Sequence, residues 1–148
     1  MRKRGAVVHT PLECYYRGSY RRDLDILNRT TFEKLCHRAQ LRGQYWHFAL
    51  PCKSFSRMSV NMNGGTRTNE KPEGSGDLDR EILGNFLLEK TICLIHILIR
   101  SGNFWSLENP RNSLVFYMPS VKEIIELPET QTIDLDRSVH VWAHVQRL

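Results

Sequence analysis

Several features that would place a protein quickly are missing from this sequence. Its four cysteines, at positions 14, 36, 52 and 93 of 148 residues, form no Cys-x-x-Cys pair, so neither a zinc site nor a disulfide framework is expected. Nine glycines and six prolines are too few for a collagen-like or low-complexity chain. Long apolar runs are scarce as well. The longest, Thr91 to Ile99, is interrupted by His96 and falls well short of the ~20 residues a membrane span needs. Met1-Arg-Lys-Arg4 imitates the charged start of a signal peptide, but the apolar Ala6-Val7-Val8 behind it is too short for the hydrophobic region of one. These shortages argue against secretion and membrane insertion. They lead to the expectation of a reduced, intracellular chain, nuclear or cytoplasmic.

What is present is an ordinary globular composition, 41% hydrophobic and 25% charged. The length suits a single domain at the usual ~100–200 residues. The net charge of +5 is uneven, because residues 1–42 carry ten Lys and Arg against four Asp and Glu. Tyr15, Tyr16 and Tyr20 stand there among Arg17, Arg21 and Arg22, a pattern that suits a phosphate backbone and equally suits a solvated basic face.

Ala6 to Leu12 reads as a short strand. Thr30-Thr-Phe-Glu33 has the form of a capping box. Behind it Phe32, Leu35, Cys36 and Ala39 fall at helical spacing, and Gly43 is expected to stop that helix. Gln44 to Leu50 reads as a strand ended by Pro51. Residues 53–76 hold five Gly or Pro and read as a long surface loop of the kind that is usually functional. Asp77 to Arg100 is the strongest helical signal, apolar over so much of its girth that burial between other elements is expected. Asn103 to Leu107 resumes as a strand, Ser120 to Glu123 forms a second capping box before a helix closed by Pro128, and Val139 to Val145 alternates as a last strand. His140 and His144 share a face of that strand, which gives no reason to expect a metal. Strands separated by helices predict an α/β fold with a mostly parallel sheet, whose chemistry gathers at the carboxyl ends of the strands.

Two segments sit at those ends. Pro51-Cys52-Lys53-Ser54-Phe55-Ser56 follows one strand, and Leu107-Glu108-Asn109-Pro110 follows the next. If the strands are neighbours, Cys52 and Glu108 enter one crevice. Lys53 and Arg57 beside Cys52 would favour its thiolate, the nucleophilic form, and a carboxyl group beside it would hold or deliver a proton.

The segment PCKSFS resembles the Pro-Cys-x-x-Phe-Ser nucleophile motif of DNA cytosine-5 methyltransferases, and LENP resembles their Glu-Asn-Val motif, with Pro110 in place of Val. The chain is also similar to a divergent branch found in transposon-like polyproteins, where an Arg and a Gly-Asn pair lie between the motifs, as Arg67 and Gly84-Asn85 do here. The resemblance implies a Rossmann-like, S-adenosylmethionine-dependent methyltransferase core. It makes Cys52 the nucleophile on C6 of cytosine, Glu108 the acid that binds the base, and Asn109 the support of its turn. It gives cofactor contacts to Glu13, Asp23 and Pro51, and nucleic-acid contacts to Ser54, Ser56, Arg57 and Arg67. DNA is the implied partner, with RNA left open.

The family's Phe-x-Gly-x-Gly cofactor turn does not occur in these residues. The implied domain is therefore a single partial catalytic unit over 1–148, incomplete at its N-terminus, with a basic tail at 1–5 and a mobile active-site loop at 53–76. A partner segment would supply the glycine turn. Two other readings stay open: an inactive fragment that keeps the fold, and a non-enzymatic nucleic-acid-binding module using the basic N-terminal third. A thiol-dependent hydrolase has less in its favour, because no histidine follows in a general-base context.

Overall fold

The computed structural model describes residues 9, 12–16, 18–134 and 139–144. Most of the strand expected over 6–12 falls outside these residues. In chain order, a small hairpin of β1 (Tyr15–Tyr16) and β2 (Ser19–Tyr20) leads through a 3-10 turn at Arg22–Leu24 into α1 (Arg29–Ala39). Then follow β3 (Tyr45–Ala49), α2 (Cys52–Phe55), α3 (Arg57–Asn63), α4 (Asp79–Arg100) and β4 (Phe104–Pro110). A 3-10 turn at Leu114–Tyr117, α5 (Pro119–Ile125), β5 (Thr130–Asp134) and β6 (Val139–His144) complete the order.

The main sheet has the order β3-β4-β6-β5. β3 and β4 pair in parallel with Ala49 opposite Glu108, while β6 is antiparallel to both β4 and β5. The fold is thus α/β as expected, but the sheet is mixed rather than mostly parallel. Connection length explains the reversal. Only residues 135–138 separate β5 from β6, whereas a parallel crossover needs about a dozen or more. β5 itself was not expected, although Thr130, Thr132 and Ile133 are the β-branched residues that favour a strand.

Local chemistry also moved several boundaries. α1 starts one residue before the expected capping box. Asn28 takes the cap and accepts from Thr31 N at 3.2 Å, while Glu33 pairs with Arg29 at 2.9 Å. The helix stops at Ala39, ahead of Gly43. α5 opens with Pro119 in its first turn and no side-chain cap, a place where proline's fixed φ suits the helix and its missing N–H costs nothing. α4 ends as expected at Gly102, whose φ of 66° lets Asn103 N reach back to Leu98 O at 2.9 Å.

The core joins Leu35 and Ala39 of α1 to Leu88, Ile92, Leu94, Ile95 and Leu98 of α4, and these to Trp105 and Leu107 of β4. Each such aliphatic side chain contributes roughly 1.5–3 kcal/mol on burial. By length and composition α4 would suffice to cross a membrane; here its buried side chains pack into this core. Its outer side carries Leu83 and Phe86, each about half exposed, so the helix is buried on one side only. Buried Asn103 locks the layers together, donating to the carbonyls of Ala39 and Leu41 and accepting from Gln44 N.

Candidate functional site

β3 ends at Ala49, and the chain turns through buried Leu50 and exposed Pro51 to place exposed Cys52 first in α2. Beside it, Glu108, Asn109 and Pro110 do not follow a strand, as expected, but are its last residues, paired with β6. Asn109 is 2% exposed, and its Nδ2 donates to Leu50 O at 3.2 Å. One amide therefore ties the LENP segment to the residue before Pro51. Its buried Oδ1 has no partner among the described residues. Glu108 lies level with Ala49, three residues before Cys52, so the two implied catalytic residues come from adjacent strand ends.

Glu108 belongs to a line of polar groups on the exposed side of the sheet. Tyr45, His47 and Ala49 alternate outward on β3, and Ser106 and Glu108 answer them in register on β4. His47 Nε2 lies 3.1 Å from Glu108 Oε2 and His47 Nδ1 lies 2.8 Å from Ser106 Oγ, which is 2.7 Å from Tyr45 OH. The sequence reading did not include Tyr45, His47 or Ser106. The alternation of the two strands was the signal for them, but only the register shows that they meet.

The segment expected as a mobile loop over 53–76 folds differently. Its first half forms α2 and α3, and the rest is drawn onto α4 around Arg67. Arg67 is 1% exposed and stacks on the Phe55 ring at 4.1 Å. Its guanidinium donates to Asn85 Oδ1 at 2.9 Å, to Ser54 Oγ at 3.1 Å, and to the carbonyls of Glu81 and Pro72. Gly84 makes this possible, because a Cβ there would overlap Ser54 Oγ. Beside Arg67, buried Glu81 accepts from Thr66 N at 2.8 Å and from the Thr66 hydroxyl. Burial alone would raise the Glu81 carboxyl; the two Thr66 bonds and the Arg67 charge outweigh it and hold the group below the usual carboxylate range. Burial also lowers the Arg67 guanidinium, against the Glu81 and Glu73 charges.

A phosphate contact is therefore not open to Arg67 or Ser54 in this arrangement, since both are spent inside. Arg57 is exposed and does face outward, donating to Asn69 Oδ1 at 2.6 Å and lying 5.5 Å from the Tyr117 ring centre. Ser56 is half-buried between α2 and α3 and makes no side-chain cap. An open cleft of about 300 Å³ lies here, lined by Arg57, Val60, Arg67, Thr68, Asn69, Glu70 and Leu114. Neither Cys52 nor Glu108 lines it.

The cofactor residues that the resemblance implies are Asp23, Glu13 and Pro51. Asp23 is exposed and its carboxylate is already held by Arg21 through two bonds, of 2.9 and 2.7 Å, which lower its pKa. Glu13 is exposed in the segment before β1. Pro51 stands at the Cys52 turn. Burial, together with neighbouring Cys93, pushes the Cys36 thiol up.

Comparison with protein-family models, curated proteins and solved structures finds no significant match to this chain.

Proposed function

We propose that this chain is the base-addressing part of a DNA cytosine-5 methyltransferase-like enzyme with a Rossmann-like core. The observation that supports this reading is convergence. Three separate pieces of the resembling sequence meet, as Ser54 of PCKSFS and Asn85 of the Gly84-Asn85 pair both accept from the Arg67 guanidinium. Asn109 of LENP bonds back to the residue before Pro51.

In this reading the Cys52 thiolate forms a bond to C6 of cytosine, and the electron pair of the C5–C6 double bond moves toward C5. Glu108 contacts N3 and the amino group and offsets the charge that develops on the ring. C5 then takes an electrophile. Loss of the C5 proton returns the electron pair, breaks the S–C6 bond and restores the aromatic base. The base must leave the stack first, at a cost of a few kcal/mol. Arg57 is the exposed cation beside the cleft that is available to a phosphate. The methyl donor, S-adenosylmethionine, needs a partner segment with a Gly-rich turn to complete its site.

Addition at C6 has a consequence that needs no cofactor. While Cys52 is attached, C5 exchanges its hydrogen with water. The full chain is incubated with single- and double-stranded cytosine DNA in deuterated water, and deuterium at C5 is read by mass spectrometry. Exchange is expected with the wild type, lost in Cys52→Ser and reduced in Glu108→Gln. No exchange above buffer, with or without S-adenosylmethionine, would sink the enzymatic reading. The lack of a Phe-x-Gly-x-Gly turn in these residues favours the second reading, an inactive fragment. Salt-sensitive DNA binding that survives Cys52→Ser without exchange would instead mark a binding module.

A further inference from the structure

The line from Tyr45 to Glu108 has a direction. An ionised carboxylate only accepts hydrogen bonds, so the ring nitrogen facing Glu108, His47 Nε2, carries a proton. With one proton on the ring, Nδ1 is an acceptor, and Ser106 Oγ, 2.8 Å away, donates to it. The Ser106 oxygen then accepts from Tyr45 OH at 2.7 Å. Every proton points toward Glu108. Ser106 is 2% exposed, so its hydroxyl has these two internal partners in place of water.

A second proton on the ring reverses the far half of the line. Nδ1–H then donates to Ser106, Ser106 donates to Tyr45, and Tyr45 donates to water, which it meets at 64% exposure. In that state the added proton sits on Nδ1, and Nε2–H still faces Glu108 one hydrogen bond away. Both states leave every member of the line satisfied.

We propose that His47 is the positioning residue of Glu108 and its proton reservoir, held in the Nε2–H tautomer by Ser106 and Tyr45. The consequence for catalysis rests on the reading of Glu108 as the acid that binds the base. A base over Glu108 covers that end of the line, while Tyr45 stays open to water at the other. The carboxylate hands a proton to the base only as it receives one from Nε2–H. Nδ1 takes the Ser106 proton, Ser106 takes that of Tyr45, and Tyr45 takes one from a solvent acid, whose conjugate base stays in solution. Glu108 ends as it began, a carboxylate; one proton crosses and none is created, and the same transfer run backward restores the Nε2–H tautomer.

The test is nitrogen NMR of the imidazole rings in the full chain, with the His47 signals assigned by their loss in His47→Asn. The Nε2–H tautomer is expected at neutral pH. Glu108→Gln removes the obligatory acceptor, so the preference for that tautomer falls several-fold. Ser106→Ala moves the Nδ1 signal toward that of an unbonded nitrogen. Tyr45→Phe, at an exposed position, moves it less in the same direction and decides the matter if Ser106→Ala does not fold. A wild-type ring protonated at Nδ1, or an Nδ1 signal indifferent to the Ser106 and Tyr45 variants, overturns the proposal. If the wild type exchanges C5 hydrogen, Tyr45→Phe is expected to lower turnover severalfold with DNA affinity unchanged, and unchanged turnover overturns the reservoir. If the NMR results hold and the wild type exchanges nothing, the positioning line stands and the methyltransferase-like reading falls.

Discussion

Two polar clusters lie off the neighbouring strands β3 and β4, and they handle charge in opposite ways. Around Arg67, 1% exposed, four bonds from one guanidinium pull α2, the following segment and α4 together. Along the open side of the sheet, the His47 and Glu108 side chains are 44% and 38% exposed and bond in a single file. The first cluster has spent its charge on the fold. The second keeps polar groups where a ligand can reach them. An arginine near a nucleophile is thus no guide to phosphate binding until its burial is known, and a plain Tyr-x-His strand can carry more chemistry than its sequence advertises.

The largest loss of stability is expected from the first cluster. Arg67→Ala strands Asn85, Ser54 and two buried carbonyls and opens a void against Phe55. We expect about 3–5 kcal/mol of destabilisation, read as a fall in the denaturant midpoint. Arg67→Lys should recover little of it, because an ammonium cannot present the same planar fork. A loss under about 0.5 kcal/mol would show that the clasp does not hold these segments.

Next in size is Gly84→Ala, whose methyl group overlaps Ser54 Oγ and presses on Arg67. Overpacking of this kind costs about 1–3 kcal/mol. Ser54→Gly removes the obstructing atoms, so the double variant should lose about 1 kcal/mol less than the sum of the two. Strict additivity would mean that α2 is not seated on α4 as described.

How much of this was legible in the sequence depends on how local the cause was. The strand at Tyr45–Ala49 and the helix at Asp79–Arg100 could be read from periodicity, because burial of one side leaves its pattern in neighbouring residues. Caps were less legible. Asn28 and Thr30 offer the same chemistry two residues apart, and the choice between them turns on Thr31 reaching Arg22 O across nine residues. The sheet's reversal at β6 was not legible, since an alternating strand pairs equally well in either direction. Within the candidate site, positions 52 and 108–109 could be singled out from the residues themselves. The roles of Arg67 and His47 were not, because one is defined by burial and the other by register with Ser106 and Glu108, sixty residues away.

A smaller effect separates the clusters by pH. Burial raises the Glu81 carboxyl, and the Thr66 bonds and Arg67 charge more than offset this, so its folded-state pKa lies below the ordinary value, ~4.3. A depressed carboxylate contributes stability that is complete above the ordinary value and is lost as pH falls through the folded one. Wild type should therefore exceed Glu81→Gln in stability at neutral pH, and the two unfolding curves should converge in acid. A gap that does not change with pH would show that the ionised carboxylate is not its source.

The smallest effect is expected on the open side. Tyr45→Phe and Glu108→Gln remove polar groups whose alternative partner is water, and an exposed pair of this sort contributes about 0–1 kcal/mol. Both variants should stay within about 0.5 kcal/mol of wild type in chemical denaturation. Their imidazole signals and any C5 exchange should change nonetheless. Groups that alter the chemistry without altering stability are free to serve a ligand, which distinguishes this line from the Arg67 clasp. A loss above about 1 kcal/mol from Tyr45→Phe would erase the distinction. It would mean that the Tyr45–Ser106 bond braces β3 against β4, and that the fold, rather than Glu108, is what the line supports.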